Sequence, residues 1–128
     1  MRYLLDTHVL LWAFDAPEKL SERVREILLD RSVQLLVSIA TPWELAIKAN
    51  AGRLDVAELL ANFEGTIVRV GYELLETRVS HAIRAGLLPL HHRDPFDRLM
   101  IAQAQELGLP LVSCDEIFDQ YEVKRIWR

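Results

Sequence analysis

The chain has 128 residues, enough for a single domain, residues 1–128, that buries a core without staples. It is 51% hydrophobic and 27% charged with a net charge of −4, an ordinary globular composition that argues against a basic nucleic-acid coat. One cysteine, Cys114, excludes an internal disulfide and a cysteine-cluster metal site, and suits a reducing compartment. The opening run MRYLLDTHVLLWAF is broken by Asp6 and His8, so it reads as neither signal peptide nor membrane span, and a cytoplasmic, membrane-free protein is expected.

No repeat, low-complexity stretch or linker divides the chain. RYLL, ending at Asp6, predicts a first strand. SERVREILLDR begins with Ser21 as N-cap and puts Val24, Ile27 and Leu28 on one helical face. VQLLVS has the continuous apolar character of a strand buried on both faces. TPWELAIKANAG opens with Thr41 and Pro42 and closes at Gly52, which predicts a helix. DVAELLANFEG predicts another, with Asp55 and Glu58 as a capping pair. TIVRV predicts a third strand and YELLETRVSHAIRAG a helix ending at Gly86. The loop LLPLHHRD leads into a helix that stops at Gly108. PLVS predicts a fourth strand, DEIFDQY a short helix, and EVKRIW a fifth strand.

Strands alternating with helices predict an α/β fold: a mainly parallel sheet of about five strands between two helical layers. Ligands of such sheets bind at the carboxyl edge, where parallel strands end and crossover helices begin. Four separate segments deliver an acid there. Asp6 ends the first strand, Glu44 and Asp97 lie in first turns of helices, and Asp115 follows the fourth strand. Each has a plain structural explanation. TPWE and DPFD both have the form of a capping box, Asp115 suits a cap, and Asp6 suits a turn.

Convergence changes the balance. An acid at a helix N-terminus gains roughly 0.3–1 kcal/mol. Two carboxylates about 4 Å apart repel by roughly 4 kcal/mol at an effective dielectric of ~20. A divalent cation offsets that repulsion, and an all-oxygen donor set suits Mg²⁺ or Mn²⁺. Such a centre polarises phosphate and activates water for in-line attack on a phosphodiester.

LLDTHVLLW, SIATPWELAIK, HRDPFDRLMIAQA and LVSCDEIF occur in this order with suitable spacing. Together they resemble the acidic blocks of PIN-domain ribonucleases, specifically the VapC-like toxins of toxin–antitoxin pairs, over nearly the whole chain. The resemblance implies a three-layer α/β/α PIN-like fold and Mg²⁺- or Mn²⁺-dependent cleavage of RNA. It assigns the catalytic acids to Asp6, Glu44, Asp97 and Asp115, with Asp6, Asp97 and Asp115 on the metal and Glu44 completing the shell or orienting water. It also implies a cognate protein antitoxin and a homodimer. Asp94 matches an acid present in only some members, so it is a helix cap first and an outer-shell residue second.

Around these acids, Ser113 is a candidate to hydrogen-bond a carboxylate or a metal-held water. Lys48, one turn after Glu44, suggests an ion pair, with a phosphate contact as the sharper alternative. Arg93 and Arg98 flank the acidic helix start and are candidates for the RNA backbone. Asp119 is a possible further ligand through water, against a solvated helix face. His91 and His92 are expected as loop residues near substrate, His8 within the first helix, and Cys114 as a buried small residue. Trp12, Trp43 and Phe96 fit core or interface faces. A catalytically silent PIN-like module that binds a partner or RNA is the alternative. A receiver-like or phosphatase-like domain fits poorly, because His8 stands where a phosphatase needs a second Asp and LVSCDE offers no Lys.

Overall fold

A computed structural model describes residues 1–128. Strands β1 (Arg2–Leu5), β2 (Gln34–Ser38), β3 (Glu73–Leu75), β4 (Leu111–Val112) and β5 (Arg125–Ile126) form one parallel sheet in the order β3-β2-β1-β4-β5. The apolar strand runs divide their side chains between two cores, as strands buried on both faces must. Leu5, Leu35, Val37 and Val112 face one core with Val9, Val24 and Ile67. Leu4, Leu36 and Leu111 face the other with Met100, Ile101 and Phe118. The first core belongs to helices α1 (Thr7–Asp15), α2 (Glu22–Leu29), α4 (Ala57–Ala61) and α5 (Phe63–Arg69). The second belongs to α7 (Pro95–Leu107) and the short 3₁₀ turn Glu116–Gln120, with α6 (Val79–Leu87) packed on α7 and Leu88, just past its end, reaching the core. Helix α3 (Ala40–Asn50) sends Leu45 into the first core and Ala40 into the second. No helix is long and apolar enough to cross a membrane.

Local signals place several elements as expected. Ser21 caps α2 by accepting the Val24 N–H. Asp94 caps α7, Pro95 is its first residue, and Gly108 ends it at φ 66°, in the left-handed region that glycine enters without strain.

Other expectations need correcting. TIVRV is not a strand: residues 66–69 belong to α5, which buries Phe63 and Ile67, one turn apart, and leaves Val68 and Val70 exposed. The third strand lies instead in Glu73–Leu75, inside the stretch expected to open a helix, and α6 starts only at Val79. Three residues at a sheet edge, one exposed and two half-buried, carry no periodicity to betray them. Asp55 and Glu58 form no capping pair, since α4 starts after Val56 without a side-chain cap.

Helix α6 also runs antiparallel to α7. Ser80 Oγ donates to Glu106 Oε1 at one end of the pair, and Arg98 donates to the Gly86 and Leu88 carbonyls at the other. The chain therefore climbs back toward the carboxyl edge before α7 begins. That return brings the loop 88–94 beside the acids.

Candidate metal centre at the carboxyl edge

Asp6 leaves β1 directly into α1 and is only 4% exposed. Its Oδ1 accepts the Thr7 N–H at 2.8 Å and its Oδ2 accepts the Ser113 hydroxyl at 2.8 Å. Burial raises its pKa, the Ser113 hydrogen bond opposes the rise, and the Glu44 charge adds to it.

Glu44 is equally buried, at 5% exposure. Its Oε1 accepts the Thr7 hydroxyl at 3.0 Å, and Lys48 Nζ donates to its Oε2 at 2.7 Å. Thr7 Oγ1 lies 3.0 Å from Thr41 Oγ1 as well, so one buried hydroxyl joins α1 to α3. The expected capping box at TPWE is absent. Helix α3 starts earlier, at Ala40, whose N–H is taken by Ser38 Oγ. Thr41 is thus helical, and Glu44 is the fifth residue of the helix, beyond its first turn.

Asp97 sits at the third position of α7, and Asp94 Oδ1 caps the Phe96 and Asp97 N–H groups at 2.8 and 3.1 Å. Asp97 does not complete a box. Its Oδ2 lies 2.6 Å from His92 Nε2. Its pKa is pushed up to about 7, chiefly by burial, with the His92 hydrogen bond opposing and the charges of Asp6 and Asp94 adding to the rise.

Asp6, Glu44 and Asp97 therefore share one electrostatic neighbourhood. Asp115 stands at its rim. It is exposed, its Oδ1 caps the Ile117 N–H at 3.1 Å, and its own N–H donates to Ser113 Oγ at 3.0 Å. Ser113 is buried and links Asp6 to the Asp115 backbone.

Several neighbours differ from expectation. Arg98 is not a substrate contact: it is 6% exposed and donates to the carbonyls of Gly86, Leu88, Pro89 and His92. Tyr121 finishes that lock, with its hydroxyl donating to the Pro89 carbonyl at 2.6 Å and accepting the His92 N–H at 2.9 Å. Arg93 is exposed. Asp119 is held by Arg125 through two hydrogen bonds of 2.9 and 3.0 Å. Cys114 is exposed rather than buried, and its thiol pKa is raised by desolvation and by the nearby Asp6 charge. His8 lies exposed on α1, 5.8 Å from the Trp12 ring. Trp43 is 59% exposed and packs edge-on against Phe96, joining α3 to α7.

Sequence reasoning missed Thr7, Thr41 and Tyr121, and treated His92 only as a loop residue. Thr7 follows Asp6 directly, which is the one local hint. The others act across the chain.

No group of three His, Cys, Asp or Glu side chains converges into a ready-made metal cage. Glu44 is satisfied by Thr7 and Lys48, and Asp115 by its own turn. The donor chemistry still fits a hard cation. Mg²⁺ keeps much of its water and is held by one or two carboxylates together with substrate phosphate. Asp6 is buried and Asp97 partly buried, the Asp6 charge disfavours ionisation of Asp97, and neither has a Lys or Arg within 4.0 Å.

The profile of the PIN domain matches residues 3–124. The chain belongs to the PIN-domain family. Its fold is similar to solved structures described as VapBC2 from Rickettsia felis bound to a DNA fragment from its promoter (TM-score 0.73, 16% identity, 100% of both chains) and DNA-bound VapBC from Salmonella typhimurium (0.71, 22%, 98% and 97%). It is also similar to FitAcB from Neisseria gonorrhoeae (0.69, 19%, 98% and 96%). No curated protein matches the chain in sequence.

Proposed function

We propose that this PIN-domain chain is a divalent-metal-dependent endoribonuclease and the toxin of a toxin–antitoxin pair. The observation that carries the reading is the pair Asp6 and Asp97: Asp6 buried, Asp97 partly buried and disfavoured as an anion by the Asp6 charge, with no Lys or Arg within 4.0 Å of either. Evolution rarely leaves such an arrangement uncompensated unless a cation or a proton completes it. The similarity to VapBC and FitAcB structures supports the toxin role and a cognate antitoxin.

In this reading Asp6 and Asp97 would hold Mg²⁺ or Mn²⁺, with Asp115 at the rim as the third acid that would help hold it. The bound cation supplies a lowered water pKa and neutralises charge growing on the phosphate. Glu44 would orient the attacking water through Oε1, the oxygen that also accepts the Thr7 hydroxyl. Thr7 fixes Glu44 relative to Asp6, Ser113 fixes Asp6, and His92 fixes Asp97. Asp94 keeps α7 in register beneath Asp97. Attack by water leaves a 5′-phosphate and a 3′-hydroxyl, whereas attack by the ribose 2′-hydroxyl leaves a cyclic phosphate.

The second reading, a silent binding module, draws on the satisfied Glu44 and the absent three-residue cage. Melting temperatures of wild type and Asp97→Asn, each with and without Mn²⁺, separate the two. The nuclease reading expects Asp97→Asn to be at least as stable as wild type without metal and to lose most of the stabilisation that Mn²⁺ gives wild type. Equal destabilisation with and without Mn²⁺ would leave DPFD as a helix start alone. Sequencing the ends of cleaved RNA then identifies the nucleophile.

A further inference from the structure

We propose that the cleft between α1 and the C-terminal half of α3 is the track that receives the phosphate backbone of single-stranded RNA beside the acids. This rests on the ribonuclease reading. The cleft has a volume of about 440 Å³ and opens at Thr7, the residue that joins Asp6 to Glu44. Its walls carry Lys19, Lys48 and Arg53 against one acid, Asp15, in a chain whose net charge is −4. Positive charge is therefore concentrated next to the site where a polyanion would be cut.

The cations differ in availability. Lys48 is paired with Glu44, but no carboxylate lies within 4.0 Å of Lys19 or Arg53. Along α3 the helical rise separates Glu44 from the end of the helix by roughly 10 Å. Lys48 and Arg53 thus mark successive stations leading away from the acids. Trp12 lines the same cleft, half-buried, with Lys19 Nζ 5.9 Å from its ring centroid and the His8 and Trp127 rings 5.8 and 6.2 Å away. A cationic groove that the backbone can follow is what sequence-tolerant recognition of a single strand requires. A protein segment would have less use for two unpaired cations placed next to a carboxylate site.

The test is fluorescence anisotropy of a labelled, short, single-stranded 2′-O-methyl RNA, in calcium without magnesium or manganese, between about 50 and 200 mM salt. Each phosphate contact contributes about 0.7 to the salt slope for a single strand, so Lys19→Ala with Arg53→Ala should lower it by about 1.4. Arg31→Ala, exposed ahead of β2 at the opposite edge of the sheet, should leave the slope unchanged. The double variant should keep the wild-type Mn²⁺-dependent melting shift, which shows that the fold and the acids are intact. An unchanged slope in the double variant, or an equal fall in Arg31→Ala, overturns the track and leaves the cleft to a protein partner. Failure of the wild type to bind this RNA at all overturns the ribonuclease reading together with the track.

Discussion

TPWE and DPFD have the same form, a cap-type residue, a proline and an acid three places after the cap, and the fold uses them differently. At DPFD the local reading holds: Asp94 caps α7 and Pro95 opens it. At TPWE the helix begins before Thr41, because Ser38 at the end of β2 caps the Ala40 N–H. Thr41 is released to meet Thr7 across the site. The two acids then meet opposite surroundings. Glu44 has Lys48 at 2.7 Å, while Asp97 has only His92 and the charge of Asp6 nearby. Identical local grammar produces one balanced acid and one held near its titration point. The difference lies in what the rest of the chain brings to each helix start.

The sharpest way to test that contrast is pH. Asp97 has a folded pKa of about 7 against an ordinary value of 3.8 in the unfolded chain, so the folded state holds the proton over that window while the unfolded state has lost it. Stability of the metal-free protein should therefore fall as pH rises from about 4 to 7, and the cost is fully present above that. Each unit of elevation corresponds to about 1.4 kcal/mol, which makes this the largest effect expected. Denaturant titrations of Asp97→Asn should show a clearly smaller fall, what remains coming from Asp6, whose pKa burial also raises, and Glu44→Gln should retain the Asp97 part. A parallel decline in wild type and Asp97→Asn would place the titrating group elsewhere.

Next in size is Arg98→Met. It strips the donors from three carbonyls of the loop and one at the end of α6, at a buried position, which should cost about 3 kcal/mol in chemical denaturation. If the variant melts like wild type, the loop is not held by Arg98 and the position of His92 needs another cause.

His92→Ala should weaken Mn²⁺ binding by about 10- to 100-fold, the usual cost of removing a partner that orients a metal-holding group. Calorimetric titration reads this directly. His92→Gln, which keeps a donor toward Asp97, should recover part of the loss. Equal affinities for wild type and His92→Ala would mean that the 2.6 Å contact does not orient Asp97.

The smallest effects compare the two caps themselves. Asp94→Ala should cost about 1 kcal/mol, the ordinary worth of a lost N-cap. Thr41→Val removes a hydroxyl bond but no cap, and should cost about 0.5–1 kcal/mol. A cycle with Thr7→Val shows the difference: the Thr41 effect should vanish when Thr7 is already changed, and the Asp94 effect should not.

The sequence by itself determined the parallel sheet, since strands buried on both faces need continuous apolar runs, as in RYLL and VQLLVS. It also determined α2 and α7, whose caps are made by residues within three positions of the groups they satisfy. The segment 63–75 was not legible in the same way. There β-branched residues lie in a helix and a three-residue strand finds its place only by pairing with β2. The acids were legible as positions, because strand ends and helix starts share an edge. What each acid experiences was decided by tertiary structure. Thr7 meets Glu44 across 37 positions, Ser113 meets Asp6 across 107, and Tyr121 holds the backbone of His92 across 29. Burial, hydrogen bonding and charge act through space, and no local pattern encodes which distant side chain supplies them.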